Sequence, residues 1–394
     1  LKDSVKNYTV YDVSAKLREN GWLVPAYSLP ADLTDVSGLR IVVKNGFGRD
    51  LADHCWTTSS ERPTGSRASR LPTPTIRTTR PRSITEVDVQ QVRVRVPAKL
   101  NLVLSVGPPG PDGFHELATV FHAVSLYDDV TVSLTPDLRG PSLRLLTPVS
   151  GLPADSTNLA WRAAAALADR VGALPDIRIS IDKAIPVAGG MAGGSADAAA
   201  VLRACSLLWD VAEEEVQSVA AEIGSDVPFA LMGGTAIGRG RGTELTPVLT
   251  TGEYHWVLAV AREGLSTPRV YQRCDDLRGD GVGAPVISDS VLAALRQGDA
   301  DSLGGLLSND LQDAAISLRP ELAQVLDAGR EAGASGAIVS GSGPTCAFLV
   351  PDPDIALEVG VSLSASGLVG GVRQANGPAP GATVVAVAEP PQGP

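Results

Sequence analysis

Pro186-Val187-Ala188-Gly189-Gly190-Met191-Ala192-Gly193-Gly194-Ser195-Ala196-Asp197 is the stretch whose reading decides the fold. It follows a predicted strand, Ile177–Ile181, and runs straight into a predicted alanine-rich helix, Ser195–Trp209. Two Gly-Gly pairs let the backbone approach a ligand and turn its N–H groups inward. The helix N-terminus behind them adds partial positive charge, so phosphate is the natural guest. Ser195 can cap that helix or bind a phosphate oxygen or its metal. The plainer alternative is a glycine-rich turn that only packs helix on strand, but four glycines framing one helix start favour the cradle. No G-K-[ST] follows and G-x-G-x-x-G is absent, so the Walker A and dinucleotide-binding folds both lose support.

Outward from this loop the chain is regular from Val87 to about Glu389. Val92, Val94, Val96, Leu100, Leu102 and Leu104 are all even-numbered, which predicts a strand pair with one apolar face and places Lys99 and Asn101 together on the other. Further strands are predicted at Thr119–Ser125, Val130–Leu134 and Leu143–Leu146, and helices at Asn158–Val171 and Glu213–Ile223. Beyond a His255–Ala261 strand come helical patterns at Pro268–Leu277, Val291–Gln297, Ser302–Leu318 and Glu321–Ala332. Then follow strands at Ala337–Val339 and Cys346–Val350, a helix near Ile355–Ser364, and strands Val369–Gln374 and Thr383–Ala388. The class is α+β, in two halves, 87–250 and 251–389. Gly238–Gly242 reads as a hairpin or turn, and Ser340-Gly341-Ser342-Gly343-Pro344 as a turn that could back the phosphate loop.

Residues 1–53 show helix–strand alternation: a helix at Val10–Asn20, an apolar run Trp22–Tyr27 and a strand Leu39–Val43. Residues 54–86 then turn basic and rich in Ser, Thr and Pro, with Arg62, Arg67, Arg70, Arg77, Arg80 and Arg82 and hardly an aliphatic side chain. Such a composition predicts a disordered linker, with a nucleic-acid arm as the less economical reading. The whole chain of 394 residues carries 33 basic and 44 acidic groups, a net charge of −11 that opposes nucleic acid and anionic membranes. Aromatics are only 4% against 41 glycines, which points to close backbone packing rather than aromatic-filled cores. Cys55, Cys205, Cys274 and Cys346 are scattered singly, so neither a zinc site nor a disulfide framework is indicated and a reducing cytoplasm fits. No apolar run approaches a membrane span, no signal-peptide core opens the chain, and the start at Leu1 without Met suggests an incomplete or unusual beginning. The oligomeric state is not legible.

Three further positions could carry chemistry. Asp226, in Gly224-Ser225-Asp226-Val227-Pro228-Phe229, reads either as the N-cap of a short helix or as a general base taking the proton of a phosphoryl acceptor, and both roles can coexist. Lys99, in Val96-Pro97-Ala98-Lys99-Leu100-Asn101, alone reads as a solvated lysine; beside Asp226 its ammonium would keep the carboxylate ionised, while Asn101 could orient a polar ligand. Phe114-His115, after the turn Pro109–Gly113, offers simple packing or a face for a flat heterocycle. His122 and His255 receive no role.

Pro97-Ala98-Lys99-Leu100-Asn101-Leu102, the stretch Pro186 to Asp197, and Gly341-Ser342-Gly343-Pro344-Thr345 together resemble the three signature motifs of the galactokinase, homoserine kinase, mevalonate kinase and phosphomevalonate kinase superfamily. Asp112-Gly113-Phe114-His115-Glu116-Leu117, Val120-Phe121, Asn158-Leu159, Ile181-Asp182-Lys183 and Gly224 to Pro228 are most similar to its branch acting on 4-diphosphocytidyl-2-C-methyl-D-erythritol. The resemblance covers about Val92 to Glu389. It implies a first half like ribosomal protein S5 domain 2 and a ferredoxin-like second half. It also implies ATP-dependent phosphorylation of the substrate's 2-hydroxyl in non-mevalonate isoprenoid biosynthesis. Asp226 would be the base, Lys99 its charged partner, and Pro186, Val187, Ala188, Gly189, Gly190, Met191, Ala192, Gly193, Gly194, Ser195 and Ala196 the ATP loop. Asn101, Phe114, His115 and Lys183 would surround the cytidine diphosphate. Phe114 stands where the family usually has Tyr, which keeps the stacking face and drops a hydroxyl. Mg²⁺ is expected from the chemistry, with ligands the sequence does not name. The alternatives are a kinase of the same superfamily for homoserine, mevalonate or another small alcohol, and a non-catalytic nucleotide-binding protein.

Residues 1–53, through Val10–Ser14, Gly21–Tyr27 and Arg40–Phe47, resemble instead the C-terminal small domain of a pyridoxal-phosphate-dependent glutamate decarboxylase. That family's cofactor lysine belongs to an upstream domain absent from this chain. The resemblance therefore implies a fused or frameshifted gene remnant without decarboxylase activity.

Overall fold

The structure, a computed structural model, describes residues 26–28, 37–39, 90–135, 140–146 and 151–388. It divides into a unit of residues 1–82 and a unit of residues 83–394. In the first, β1 (Ala26–Ser28) pairs antiparallel with β2 (Ser37–Leu39). The predicted strand Leu39–Val43 meets the described one only at Leu39, and the predicted helix Val10–Asn20 and the linker 54–86 lie outside the described residues.

The second unit is built on one long hairpin, β3 (Gln91–Pro109) with β4 (His115–Leu134). The two strands predicted at Thr119–Ser125 and Val130–Leu134 are thus parts of one. Pro97 lacks a ladder donor, and the pairing register shifts between Pro97 and Ala98 and again between Asn101 and Val103. Below the first shift the hairpin carries β14 (Thr383–Ala388) on β3, and β6 (Ile177–Asp182) then β5 (Ser142–Leu145) on β4. Above it, β10 (Ser308–Asn309) joins β3 in parallel, and β7 (Thr235–Gly240) and β8 (Glu244–Pro247) extend from β4. The β7–β8 hairpin is the turn expected around Gly238–Gly242.

Exposed and buried residues alternate strictly from Gln91 to Val96, and from there to Leu104 every residue of β3 is buried. The even-number pattern therefore describes only half the strand, because past Pro97 both faces are covered. Helix Gly193–Leu208 packs on β3 and β4 with Ala196, Ala198, Ala199, Ala200 and Ala204 buried. Small side chains bring helix and sheet backbones together, which accounts for a core with so few aromatics.

The remaining strands form a four-stranded sheet in the order β11 (Gly336–Val339), β12 (Cys346–Val350), β9 (Tyr254–Val260), β13 (Gly371–Gly377), all neighbours antiparallel. Helices Glu321–Glu331 and Pro353–Ala365 pack on it, giving the ferredoxin-like order of strand, helix, two strands, helix, strand. Apolar spacing predicted one helix over Ser302–Leu318; instead there are helices Ala300–Gly304 and Gln312–Leu318 with β10 between them. Gly304-Gly305 weakens the helix, and pairing of Ser308 and Asn309 with Val103 and Leu104 offers the backbone a competing ladder. No helix among the described residues is long and apolar enough to cross a membrane.

Candidate active site

Two helix starts show how the site is made. Helix Leu159–Val171 begins conventionally, with Asn158 Oδ1 accepting the Ala160 N–H. Helix Gly193–Leu208 begins after Ala192, whose φ is 56° and whose side chain supplies no cap. Of the two readings of Ser195 the cap does not hold: the helix starts two residues earlier and leaves Ser195 in its first turn. Ala188, at φ 53°, and Ala192 both hold left-handed backbone, a conformation that costs non-glycine residues on the order of 1–2 kcal/mol each. Alternating handedness turns successive N–H groups to one side and forms an anion-binding concavity.

Gly190 fixes this loop against the turn after β11. A Cβ at position 190 would lie 2.2 Å from the Ser340 carbonyl oxygen, and its φ is +76°. Ser340 Oγ donates to the Gly190 carbonyl at 3.1 Å, and the Thr345 N–H points to the Gly189 carbonyl at 3.4 Å. The Ser340–Pro344 turn therefore backs the phosphate loop, as its position after a strand suggested. Asn309 Nδ2 donates to the carbonyls of Val339 and Gly341 at 2.8 and 2.7 Å, so the short β10 has the task of holding that turn.

Lys99 lies beneath the cleft and is only 9% exposed, not a solvated lysine. Its N–H donates to the Met191 carbonyl at 3.3 Å, tying β3 to the loop. Its ammonium donates to Asn101 Oδ1 at 2.6 Å, Asn101 Nδ2 donates to Thr119 Oγ1 at 2.8 Å, and the Thr119 hydroxyl donates to the Val103 carbonyl at 2.6 Å. The Asn101 side chain thus accepts from Lys99 through Oδ1 and spends one N–H on Thr119, while lining the cleft. Lys99 Nζ stands 3.9 Å from Asp226 Oδ2 and 5.4 Å from the centre of the Phe121 ring.

Asp226 occupies the N-cap position of helix Val227–Met232 but makes no side-chain capping bond. Its carboxylate is left for the cleft, with Lys99 beside it. Tyr271 stands near: burial, reinforced by the Asp226 charge, pushes the phenol's pKa up, so it stays protonated. Lys99, Asp226, Tyr271, Pro186–Gly190 and Ala192–Gly194 line a cavity of about 480 Å³, whereas Met191 of the predicted loop is turned into the hydrophobic core.

A second cavity of about 750 Å³ shares Leu117, Ser225, Arg241, Thr267 and Tyr271 with the first and contains Phe114 and His115. Phe114 is 55% exposed, and the Arg241 guanidinium lies 3.9 Å from its ring centre while pairing with Asp112 at 2.6 Å. The Arg241 hydrogen bond holds the Asp112 carboxyl below the usual carboxylate range. His115 Nε2 is 2.9 Å from Asp275 Oδ1, and its ring centre is 5.0 Å from that of Tyr271.

Lys183 departs from its expected place. Its side chain is 2% exposed and its three protons have three acceptors: Asp128 Oδ2 at 2.6 Å, Asp197 Oδ2 at 2.9 Å and the Gly193 carbonyl at 3.2 Å. No proton remains for a substrate. Burial opposes the Lys183 charge, but Asp197 and Asp128 overcome it and hold the pKa above the ordinary lysine value. Sequence reading missed Thr119, Tyr271, Asp128 and Arg241, whose partners are far away along the chain. Among the described residues no group of three or more His, Cys, Asp or Glu could hold a metal ion by itself.

Residues 158–234 match the GHMP kinases N terminal domain and residues 291–367 the GHMP kinases C terminal domain. A protein of Mycolicibacterium smegmatis named 4-diphosphocytidyl-2-C-methyl-D-erythritol kinase is 54% identical over 305 residues, covering 76% of this chain and 94% of that protein. One of the same name from Thermobifida fusca is 54% identical over 303 residues, 75% of this chain and 98% of its own. A crystal structure of 4-(cytidine 5'-diphospho)-2C-methyl-D-erythritol kinase superposes with a TM-score of 0.59 at 32% identity, covering 72% of this chain and 98% of that one. A homoserine kinase from Cytophaga hutchinsonii gives the same TM-score at 18% identity, covering 79% and 100%, and shares the fold.

Proposed function

The chain belongs to the GHMP kinase family, and from that premise we propose that it transfers the γ-phosphoryl group of ATP to the 2-hydroxyl of 4-diphosphocytidyl-2-C-methyl-D-erythritol. The observation that carries this is the Lys99–Asp226 pair, 3.9 Å apart, facing the uncapped start of helix Gly193–Leu208 in one cavity. The N–H groups of the loop hold the nucleotide phosphates. Asp226 takes the hydroxyl proton as the new O–P bond forms and the bond to the β-phosphate oxygen breaks, releasing ADP. Lys99 offsets charge building on the transferred group. Mg²⁺ would arrive on the nucleotide and neutralise phosphate charge, with Asp226 the carboxylate placed to approach it.

The neighbouring cavity fits the cytidine diphosphate end. The free face of Phe114 can stack on a base, His115 is fixed by Asp275, and Arg241 stands between the cavities where a diphosphate would pass. Two catalytic halves, 87–250 and 251–389, are supported by the family matches that fall inside each.

The test is to incubate the protein with ATP, Mg²⁺ and the cytidylylated methylerythritol and follow ADP. Formation of ADP that depends on that acceptor is expected. Turnover with homoserine or mevalonate alone would reassign the acceptor.

A further inference from the structure

The loop 184–193 has its start and end tied to one buried cluster. At its start, Asp128 Oδ1 accepts the N–H groups of Ala184 and Ile185 at 2.7 and 2.9 Å. At its end, Lys183 Nζ holds the Gly193 carbonyl and, one turn on, Asp197, while its remaining bond returns to Asp128. A Cβ at position 193 would sit 3.0 Å from Lys183 Nζ, so the ammonium fills the space directly under the first helical residue. Asp128 and Asp197 are fully buried. Two carboxylates and an ammonium removed from water are a costly way to build a core, since apolar residues of similar volume commonly serve as well or better. Burial pushes the Asp197 carboxyl up, and Lys183 opposes that rise.

We propose that Lys183 is a positioning residue: with Asp128 and Asp197 it staples the two ends of the phosphate loop together, presetting the loop's N–H groups for the nucleotide, and it does not touch the second substrate. The inference rests on the loop being the nucleotide site. Its physical basis is preorganisation: a loop already closed does not lose its freedom on binding, so the staple acts on nucleotide affinity.

Lys183→Met alone leaves two buried carboxylates and can fail to fold, so the decisive variant is the double substitution Lys183→Met with Asp197→Leu, in which Asp128 keeps its two backbone donors. Affinity for the non-hydrolysable analogue AMP-PNP with Mg²⁺ is measured by calorimetry beside KM for the acceptor. Affinity about tenfold weaker, with acceptor KM within about twofold, is expected. Asp197→Asn, which keeps an acceptor oxygen for Lys183, is expected to retain most of the affinity that the double variant loses. A raised acceptor KM with unchanged AMP-PNP affinity would overturn the staple and return Lys183 to the substrate. A lowered melting temperature with both constants unchanged would reduce it to a fold element. Wild-type protein that binds AMP-PNP but does not phosphorylate the acceptor would sink the assigned reaction, and the affinity comparison would still decide the staple.

Discussion

The two ends of the cleft are built on opposite lines. At the phosphate end the contacts are close and buried: Gly190 is pressed on the Ser340 carbonyl, Lys183 is saturated by three acceptors, and two alanines hold left-handed backbone. At the acceptor end, Phe114 stands exposed and is covered on one face by Arg241, itself paired with an exposed Asp112. Phosphate is recognised by N–H groups that must be in place beforehand, because reorganising them would cost the affinity they supply. A base on a stalk can instead be met by side chains that move. The closely packed end should therefore be intolerant of small changes and the exposed end forgiving.

At the junction of the two ends, Lys99→Met removes the cation beside Asp226 and should lower kcat by about 10²–10³-fold. A loss below tenfold, read by steady-state kinetics, would detach Lys99 from the chemistry. Gly190→Ala adds a single methyl group at the closely packed end and should weaken AMP-PNP binding by about 30-fold or more, since the Ser340 turn must shift to admit it. Unchanged affinity would show that the loop adjusts freely, and the contrast between the ends would disappear. Phe114→Ala should raise the acceptor KM by about five- to tenfold through lost stacking, with ATP KM unchanged.

The smallest effect concerns His122, buried in β4 away from the cleft, where its Nδ1 is 2.8 Å from Thr235 Oγ1 and its ring packs by Tyr254 and Trp256. Burial pushes its pKa down from 6.5 to about 3, so it is neutral in the fold. The unfolded chain binds a proton below about pH 6.5. Stability contributed by the neutral ring is thus fully present above that pH and is lost progressively as pH falls toward about 3. About 1.4 kcal/mol should go between about pH 7.5 and 5.5, and denaturant titrations of His122→Asn should show a flatter dependence over that range. An equal slope in both proteins would place the acid sensitivity elsewhere.

Local signals were legible where one segment carries both the pattern and its consequence. The glycine-framed helix start, the hairpin around Gly238–Gly242 and the alternation from Val92 to Val96 are of this kind. What tertiary contact decides was not. Lys99 reads as solvated because nothing near it in sequence reveals that the Met191 carbonyl and the Asn101–Thr119 chain enclose it. Lys183 lies 55 residues from Asp128, and no spacing rule links them. The helical pattern of Ser302–Leu318 was real in its apolar spacing, yet pairing with Val103 and Leu104 overrode it and thereby placed Asn309 under the Ser340–Pro344 turn. The family motifs located the loop, Lys99 and Asp226 without showing which side chains bind ligand and which brace the protein.

The most direct measurement compares wild-type protein with Asp226→Asn, reading AMP-PNP affinity and acceptor-dependent ADP formation on the same samples. If Asp226 takes the acceptor's proton, turnover falls by about 10²–10⁴-fold while affinity stays within about threefold. Turnover that survives the substitution, or affinity lost in step with it, would contradict the account.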